Sequence, residues 1–393
     1  MAESLEAIPI LDLSWTDDPV RKDKLLQQLR SALFEVGFLY ITNHGVPHSA
    51  IDGLTRLLPT LFDLPSVIKE KQTKLNSPHF LGYSGFAEEV TLGQQDLREQ
   101  FDFATELPVV YQEHSSSEGF QHKERRDFSK SFWRLRGPNQ WPPEDLVPGF
   151  RNAFMSYHDA VQQLSYRFVH LIEEAFSIPV GTFDSFFSRD EMVVQPANDR
   201  ENNHHNDTVG KSQSPLAPQH RIKLVKYPPT PFSDAGQGVG AHKDSSGWLT
   251  FLYQVGNEKG LEVLSSSGKW LPASPITGSF VVIFGNAFEA ATEGAVKATV
   301  HRVVAPGPDS NDRYSIPFFQ GLPLDMTVSE IRSVIPEHVR SLRKLRDAND
   351  GVSTFLDPRW DSLGESQLRK WIRSHKDVGL KWYGSDAVEY YTH

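Results

Sequence analysis

His242 and Asp244 are separated by a single lysine. On a β-strand, side chains two positions apart point to one face, so this imidazole and carboxylate can reach one ion from one wall of a sheet. His301, inside the β-like run Lys297-Ala-Thr-Val-His-Arg-Val-Val304, is placed to close the site from a neighbouring strand. Two imidazoles and one carboxylate on one face of an ion leave its other positions open. That set suits an O2-activating non-haem Fe(II) centre, although Zn(II) or Mn(II) accept the same donors. The chain has no cysteine, so any metal here must be held by His and carboxylate.

Arg313 and Ser315 add a second chemistry. They are again two apart on a predicted strand, twelve residues after His301, which leaves room for one turn and a return strand. A guanidinium fork matches a carboxylate, and the hydroxyl adds a donor. A dicarboxylate can then chelate the metal at one end and reach Arg313 with the other. Taken alone, the pair reads as a surface arginine beside a Ser turn; the three upstream residues change that reading.

The ordered string Tyr227, His242-x-Asp244, His301, Arg313-x-Ser315 resembles the Fe(II)/2-oxoglutarate dioxygenases of the isopenicillin-N-synthase-like family. The resemblance extends along the chain, through Ile8-Pro-Ile-Leu-Asp12, Gly37-Phe-Leu-Tyr-Ile-Thr-Asn-His-Gly-Val-Pro47 and Gly137-Pro-Asn-Gln-Trp-Pro142. It implies Fe(II) on His242, Asp244 and His301, with 2-oxoglutarate and O2 as cosubstrates. It also implies Arg313, Ser315 and Tyr227 on 2-oxoglutarate, and Phe319 beside the substrate. Two positions depart from the family pattern: Val225 stands where Asn often precedes the Tyr, and Asn286 where Asp is usual. The implied reaction oxidises an unactivated C–H of a small molecule, by hydroxylation, desaturation or ring rearrangement, with release of succinate and CO2. The likeness to fungal tailoring enzymes points to a secondary metabolite. Two rivals stay open: a 2-oxoglutarate-independent Fe(II) oxidase of the isopenicillin-N-synthase kind, and a catalytically silent jelly-roll binding protein.

The elements that must position these residues follow from periodicity. Arg221–Tyr227, Trp248–Gln254, Leu261–Leu264, Ser279–Phe284, Ala298–Val304 and Tyr314–Gln320 read as strands separated by Gly and Pro. Short strands without long intervening helices predict a mainly β fold with flanking helices, a distorted double-stranded β-helix or jelly roll, over 220–325. Before it, 1–145 reads as an N-terminal α/β region covering the barrel, and 146–194 as a long backing helix. In that helix Phe150, Phe154, Tyr157, Val161, Leu164, Phe168, Leu171 and Ile172 recur at gaps of three and four. Residues 195–219 read as a mobile polar insert. Its His204-His205 pair imitates a metal cluster but reads as polar coil. Residues 326–393 read as a C-terminal helical extension packed outside the barrel, with His338 and His375 as surface or packing residues. Tyr83, Phe101 and Phe103 are candidates for the substrate pocket wall. Residues 111–135 read as an exposed loop, and His44 as a turn histidine.

Bulk properties narrow the partners. At 393 residues the chain is long enough for a large core. A net charge of −10 and a pI near 5.8 disfavour general nucleic-acid or anionic-membrane binding. The acidic N-terminus lacks the apolar stretch of a secretory signal, and no run of about 18 apolar residues occurs. The expected protein is cytoplasmic and acts on a small molecule; the sequence does not give its oligomeric state.

Overall fold

The computed structural model describes residues 8–113, 126–187, 216–231, 236–244, 247–342 and 358–393. Most of the 195–219 insert, with His204 and His205, lies outside them. The strands in chain order are β1 (Ile10–Asp12), β2 (Phe38–Thr42), β3 (Gly82–Ser84), β4 (Val90–Thr91), β5 (Gln94–Gln95), β6 (Glu99–Ala104) and β7 (Arg221–Tyr227). They continue with β8 (Gln237–His242), β9 (Leu249–Val255), β10 (Leu261–Leu264), β11 (Trp270–Pro272), β12 (Phe280–Phe284), β13 (His301–Val304) and β14 (Arg313–Phe319). Eight form one sheet in the order β1-β2-β12-β9-β14-β7-β6-β3, and four form a second in the order β11-β10-β13-β8. Every pairing between these strands is antiparallel except β1 with β2. Side chains from both sheets line a shared cavity, which is the jelly-roll arrangement. The N-terminal strands do more than cover the barrel: β1 and β2 extend one edge of the large sheet, and β6 and β3 extend the other.

Strand alternation divides the large sheet into two chemistries. From β14, Arg313, Ser315, Pro317 and Phe319 face the cavity, whereas Ile316 and Phe318 join the main hydrophobic core. From β7, Lys223, Val225 and Tyr227 face the cavity, whereas Ile222 and Leu224 join that core.

The helices are α1 (Pro19–Ser31), α2 (His48–Thr55), α3 (Leu58–Phe62), α4 (Ser66–Lys71), α5 (Phe150–Phe176), α6 (Asn286–Ala291), α7 (Val328–Val334), α8 (Glu337–Arg340), α9 (Leu363–Ser374), α10 (Lys376–Tyr383) and α11 (Ser385–Thr392). All eight residues of the predicted α5 stripe are buried. They back the outer face of the large sheet: Phe168 packs edge-on to Phe251 of β9 at 5.7 Å, and Phe154 lies 5.0 Å from Phe103 of β6. At the other end of the core, α1 runs into a π-helical turn, Ala32–Val36, that Gly37 ends at φ +76°. A Cβ on Gly37 would stand 2.2 Å from Thr299 Oγ1 and 2.4 Å from Lys297 O. Its absence lets the segment leading to His301 pass, and Thr299 Oγ1 donates to Val36 O at 2.7 Å.

Within the C-terminal extension Pro336, which has no N–H to continue a helix, separates α7 from α8. Two expectations require correction. The loop of 111–135 is not wholly exposed, because Phe132, Trp133 and Leu135 are buried in a short 3-10 turn. The C-terminal extension does not sit only outside the barrel. Leu368, Trp371 and Ile372 of α9 pack into a cluster with Phe80 and Trp133, and the same helix brings Lys370, Trp371 and Ser374 to the cavity wall.

Candidate active site

His242 ends β8 and His301 begins β13, where the two residues are direct register partners. Their ring centres are 4.3 Å apart. Asp244 lies two residues beyond the end of β8, so its own hydrogen bonds position it, not strand alternation. Its backbone carbonyl accepts from Asn286 N at 2.9 Å, and one carboxylate oxygen accepts from Thr250 Oγ1 at 2.6 Å. The other oxygen stands 3.9 Å from His242 Nε2 and 3.7 Å from His301 Nε2. Among the described residues these three form the one His/Asp/Glu group whose donor atoms all lie close enough to share an ion, within 4.8 Å of one another.

Local hydrogen bonds prepare both imidazoles as donors to a metal. Nδ1 of His242 lies 2.8 Å from Gly240 O, and Nδ1 of His301 lies 3.1 Å from Thr299 O. A carbonyl can only accept, so each Nδ1 carries a proton, and in the neutral ring Nε2 is then the nitrogen with a lone pair to offer. Burial, with His301 beside it, holds His242 well below the ordinary histidine range, so its imidazole is neutral. Burial raises the Asp244 carboxyl, while the charge of His301 and His242 when protonated and the Thr250 hydrogen bond lower it, for a net shift below its usual value.

Deeper in the cavity, of about 340 Å³, Arg313 and Ser315 are buried on β14. Arg313 Nη2 donates to Gln254 Oε1 at 3.0 Å, and Gln254 Nε2 donates to Ala273 O at 3.0 Å. Among the described residues Nε and Nη1 of Arg313 meet no acceptor at hydrogen-bond geometry, the Tyr227 phenol being the group that acts on the guanidinium beside Gln254. Leaving such donors bare in the interior is costly, so the site fits an anion that fills them. Burial lowers the Arg313 guanidinium from its ordinary value, but a group of this kind remains charged at pH 7. Tyr227 packs against Arg313, and Phe319 lines the cavity nearer the triad. Val225 also lines this wall.

Tyr83, Phe101 and Phe103 do not line the cavity. Phe101 and Phe103 are fully buried on the α5 face of β6, and Tyr83 packs against Phe101 while its hydroxyl donates to Glu99. Strand alternation is the reason. On β6 the polar residues Gln100 and Asp102 occupy the opposite face from the aromatics.

Sequence reasoning missed the polar wall near the mouth. Glu89, Asp96, Arg98, Lys223, Lys370, Trp371, Ser374 and His375 all border the cavity. Glu89 accepts from Lys74 at 2.8 Å and from Arg98 at 2.7 Å, and Lys74 reaches Asp102 at 2.7 Å. His375, expected at the surface or in packing, lies 3.1 Å from Glu89; burial and Lys74 hold its imidazole low and neutral. The one legible signal was the alternation of charge with apolar residues in β6 and β7.

The comparisons with known proteins agree with this architecture. Residues 8–144 match the family "non-haem dioxygenase in morphine synthesis N-terminal", and residues 218–321 match the "2OG-Fe(II) oxygenase superfamily". In fold, the chain resembles a full-length Neurospora crassa protein solved in complex with alpha-KG and 5-formyluracil, with a TM-score of 0.61 and 22% identity over 88% of this chain and 93% of that one. It also resembles the rice dioxygenase for auxin oxidation, with a TM-score of 0.56 and 21% identity over 85% of this chain and 87% of that one.

A 2-oxoglutarate-dependent dioxygenase, frbJ, from a Dothideomycetidae species is 35% identical, covering 96% of this chain and 92% of its own. Another from Gibberella zeae is 29% identical over 98% and 93%. The chain belongs to the 2-oxoglutarate-dependent dioxygenases of the isopenicillin-N-synthase-like type, with Fe(II), 2-oxoglutarate and O2 as its cofactor and cosubstrates. This supports the cosubstrate-dependent oxygenase over both rivals.

Proposed function

We propose that His242, Asp244 and His301 hold Fe(II), and that Arg313, Ser315 and Tyr227 hold the distal carboxylate of 2-oxoglutarate. Fe(II) bound there supplies O2 activation coupled to decarboxylation of 2-oxoglutarate to succinate, the chemistry by which such enzymes oxidise C–H bonds. The chain's own residues supply position. Gly240 O and Thr299 O orient the two imidazoles, and Thr250 fixes the carboxylate. Gln254 holds the Arg313 fork, and α9 contributes Lys370, Trp371 and Ser374 to the chamber wall. Phe319 lines the substrate side.

The observation that carries this reading is the pair of bare N–H donors on buried Arg313, in the same cavity as the three-residue cluster. The substrate in this reading is a small molecule of fungal secondary metabolism, in keeping with frbJ and with a dioxygenase, caaD, of Aspergillus niger. No helix among the described residues is long and apolar enough to cross a membrane, and we place the enzyme in the cytoplasm, away from nucleic acid. The test is turnover of candidate metabolites with Fe(II) and 2-oxoglutarate, reading succinate by mass spectrometry. Succinate equimolar with oxidised product is expected; product without succinate would overturn the assignment of Arg313.

A further inference from the structure

The chamber between the three-residue cluster and α9 carries more positive than negative charge. Its carboxylates are already paired. Glu89 is bonded to Lys74 and Arg98, Asp102 to Lys74, and Asp96 to Thr91, Gln237 and the Gly240 amide. Lys223 pairs with Asp102 at 3.7 Å and Glu89 at 3.8 Å by charge alone, without a hydrogen bond to either, and shares both acids with Lys74. Lys370 forms no ion pair or ammonium hydrogen bond with the described residues, and Arg221 bonds only backbone carbonyls. These cations gather on one indole. Arg221 lies 4.5 Å, Lys370 5.4 Å and Lys223 5.7 Å from the ring centre of Trp371.

The acid nearest in effect to Lys370 is Asp244, whose oxygens serve Thr250 and the common point of the cluster. The iron side offers no further compensation, because Fe(II), Asp244, 2-oxoglutarate and Arg313 together carry no net charge. Largely buried ammonium groups without a hydrogen-bond acceptor, Lys370 having no paired acid among the described residues and Lys223 sharing its two, are unfavourable unless a ligand supplies one. Burial lowers both lysines, Lys223 to about 8. A smaller cavity of about 40 Å³ joins the two lysines to Asp244, Phe319 and Trp371.

We propose that Lys370 and Lys223 receive a carboxylate of the substrate, so that this oxygenase acts on small organic acids and discriminates against their neutral analogues. The proposal rests on the metal and 2-oxoglutarate assignment above. It makes α9 a specificity wall: the carboxylate anchors at the lysines, and the C–H to be oxidised lies toward His242, Asp244 and His301.

The test uses full-length protein under anaerobic conditions with Fe(II) and saturating 2-oxoglutarate, so that Arg313 is occupied. Matched pairs are titrated by calorimetry: phenylacetate and phenylacetamide, hexanoate and hexanamide, N-acetylalanine and its amide. The expected result is that acids bind at least tenfold more tightly than their amides. Lys370→Met should erase that preference, Lys370→Arg should restore most of it, and 2-oxoglutarate affinity and iron content should not change. Equal binding of acid and amide, no binding of any acid, or a preference that survives in Lys370→Met would overturn the proposal. Should 2-oxoglutarate itself fail to bind, the underlying assignment falls, and that is seen before any acid is added.

Discussion

Arg313 and Tyr227 face each other in the β14–β7 register, with the guanidinium carbon 4.9 Å from the centre of the phenol ring. The stacked ring and Gln254 fix the plane of the fork, so its free N–H groups are set before any ligand arrives. A charge-assisted, two-point contact of this kind contributes about 2–4 kcal/mol. Arg313→Ala should therefore raise the 2-oxoglutarate concentration needed for half-maximal turnover by roughly 30- to 1000-fold, with metal content near normal. Arg313→Lys should recover only part, since an ammonium cannot reproduce the fork. An unchanged 2-oxoglutarate requirement in Arg313→Ala would remove this residue from the site.

Thr250 holds one Asp244 oxygen at 2.6 Å. Losing an orienting partner of a metal ligand typically costs roughly 10- to 100-fold in metal affinity. Thr250→Val should show that loss in a chelator competition, while high Fe(II) restores turnover. Wild-type retention of iron against the chelator would mean that Asp244 is oriented by its backbone alone.

Phe103 belongs to the packing between β6 and α5, touching Phe150, Phe154 and Trp141. Truncation of a buried Phe costs about 3–5 kcal/mol. Phe103→Ala should lower the melting temperature markedly and leave substrate KM unchanged at a temperature where the variant is folded. A raised KM with an unaltered melting curve would restore Phe103 to the pocket wall.

The pH dependence of substrate binding follows from Lys223, which burial pushes down to about 8. Its neighbours other than Lys370 keep their charge state around that pH. Burial would raise Glu89 and Asp102, but the surrounding cations hold both low, and the same acids hold Lys74 and Arg98 charged. His375 is already neutral, and Lys370 is lowered by the same burial. As pH rises through about 8 the chamber loses a positive charge, so an anionic substrate binds less well. KM for an acid substrate should climb roughly tenfold between pH 7 and 9, with kcat less affected. Lys223→Arg should flatten that rise; a wild-type KM constant across this range would detach Lys223 from the substrate.

The sequence was most legible where periodicity and chemistry agree. The strands Arg221–Tyr227 and Leu261–Leu264 and the long stripe of α5 stand where their patterns place them. His242, Asp244 and His301 meet as their order along the chain suggested, although Asp244 lies beyond β8 and is held by Thr250 and Asn286. The substrate wall was not legible for two physical reasons. Composition favours aromatics as pocket walls, but on β6 it is Gln100 and Asp102 that share the polar side while Phe101 and Phe103 fill the core. The second reason is distance along the chain. Lys370, Trp371 and His375 reach the cavity only because α9 docks on Phe80 and Trp133, a tertiary contact with no local signature.

The wall contributed by α9 also has a consequence for synthesis. A ribosome finishes both sheets before it makes Lys370 and Trp371. The side of the cavity that carries Lys370, Trp371 and Ser374 is therefore the last part of it to be made, after His242, Asp244, His301 and Arg313 are already in the chain.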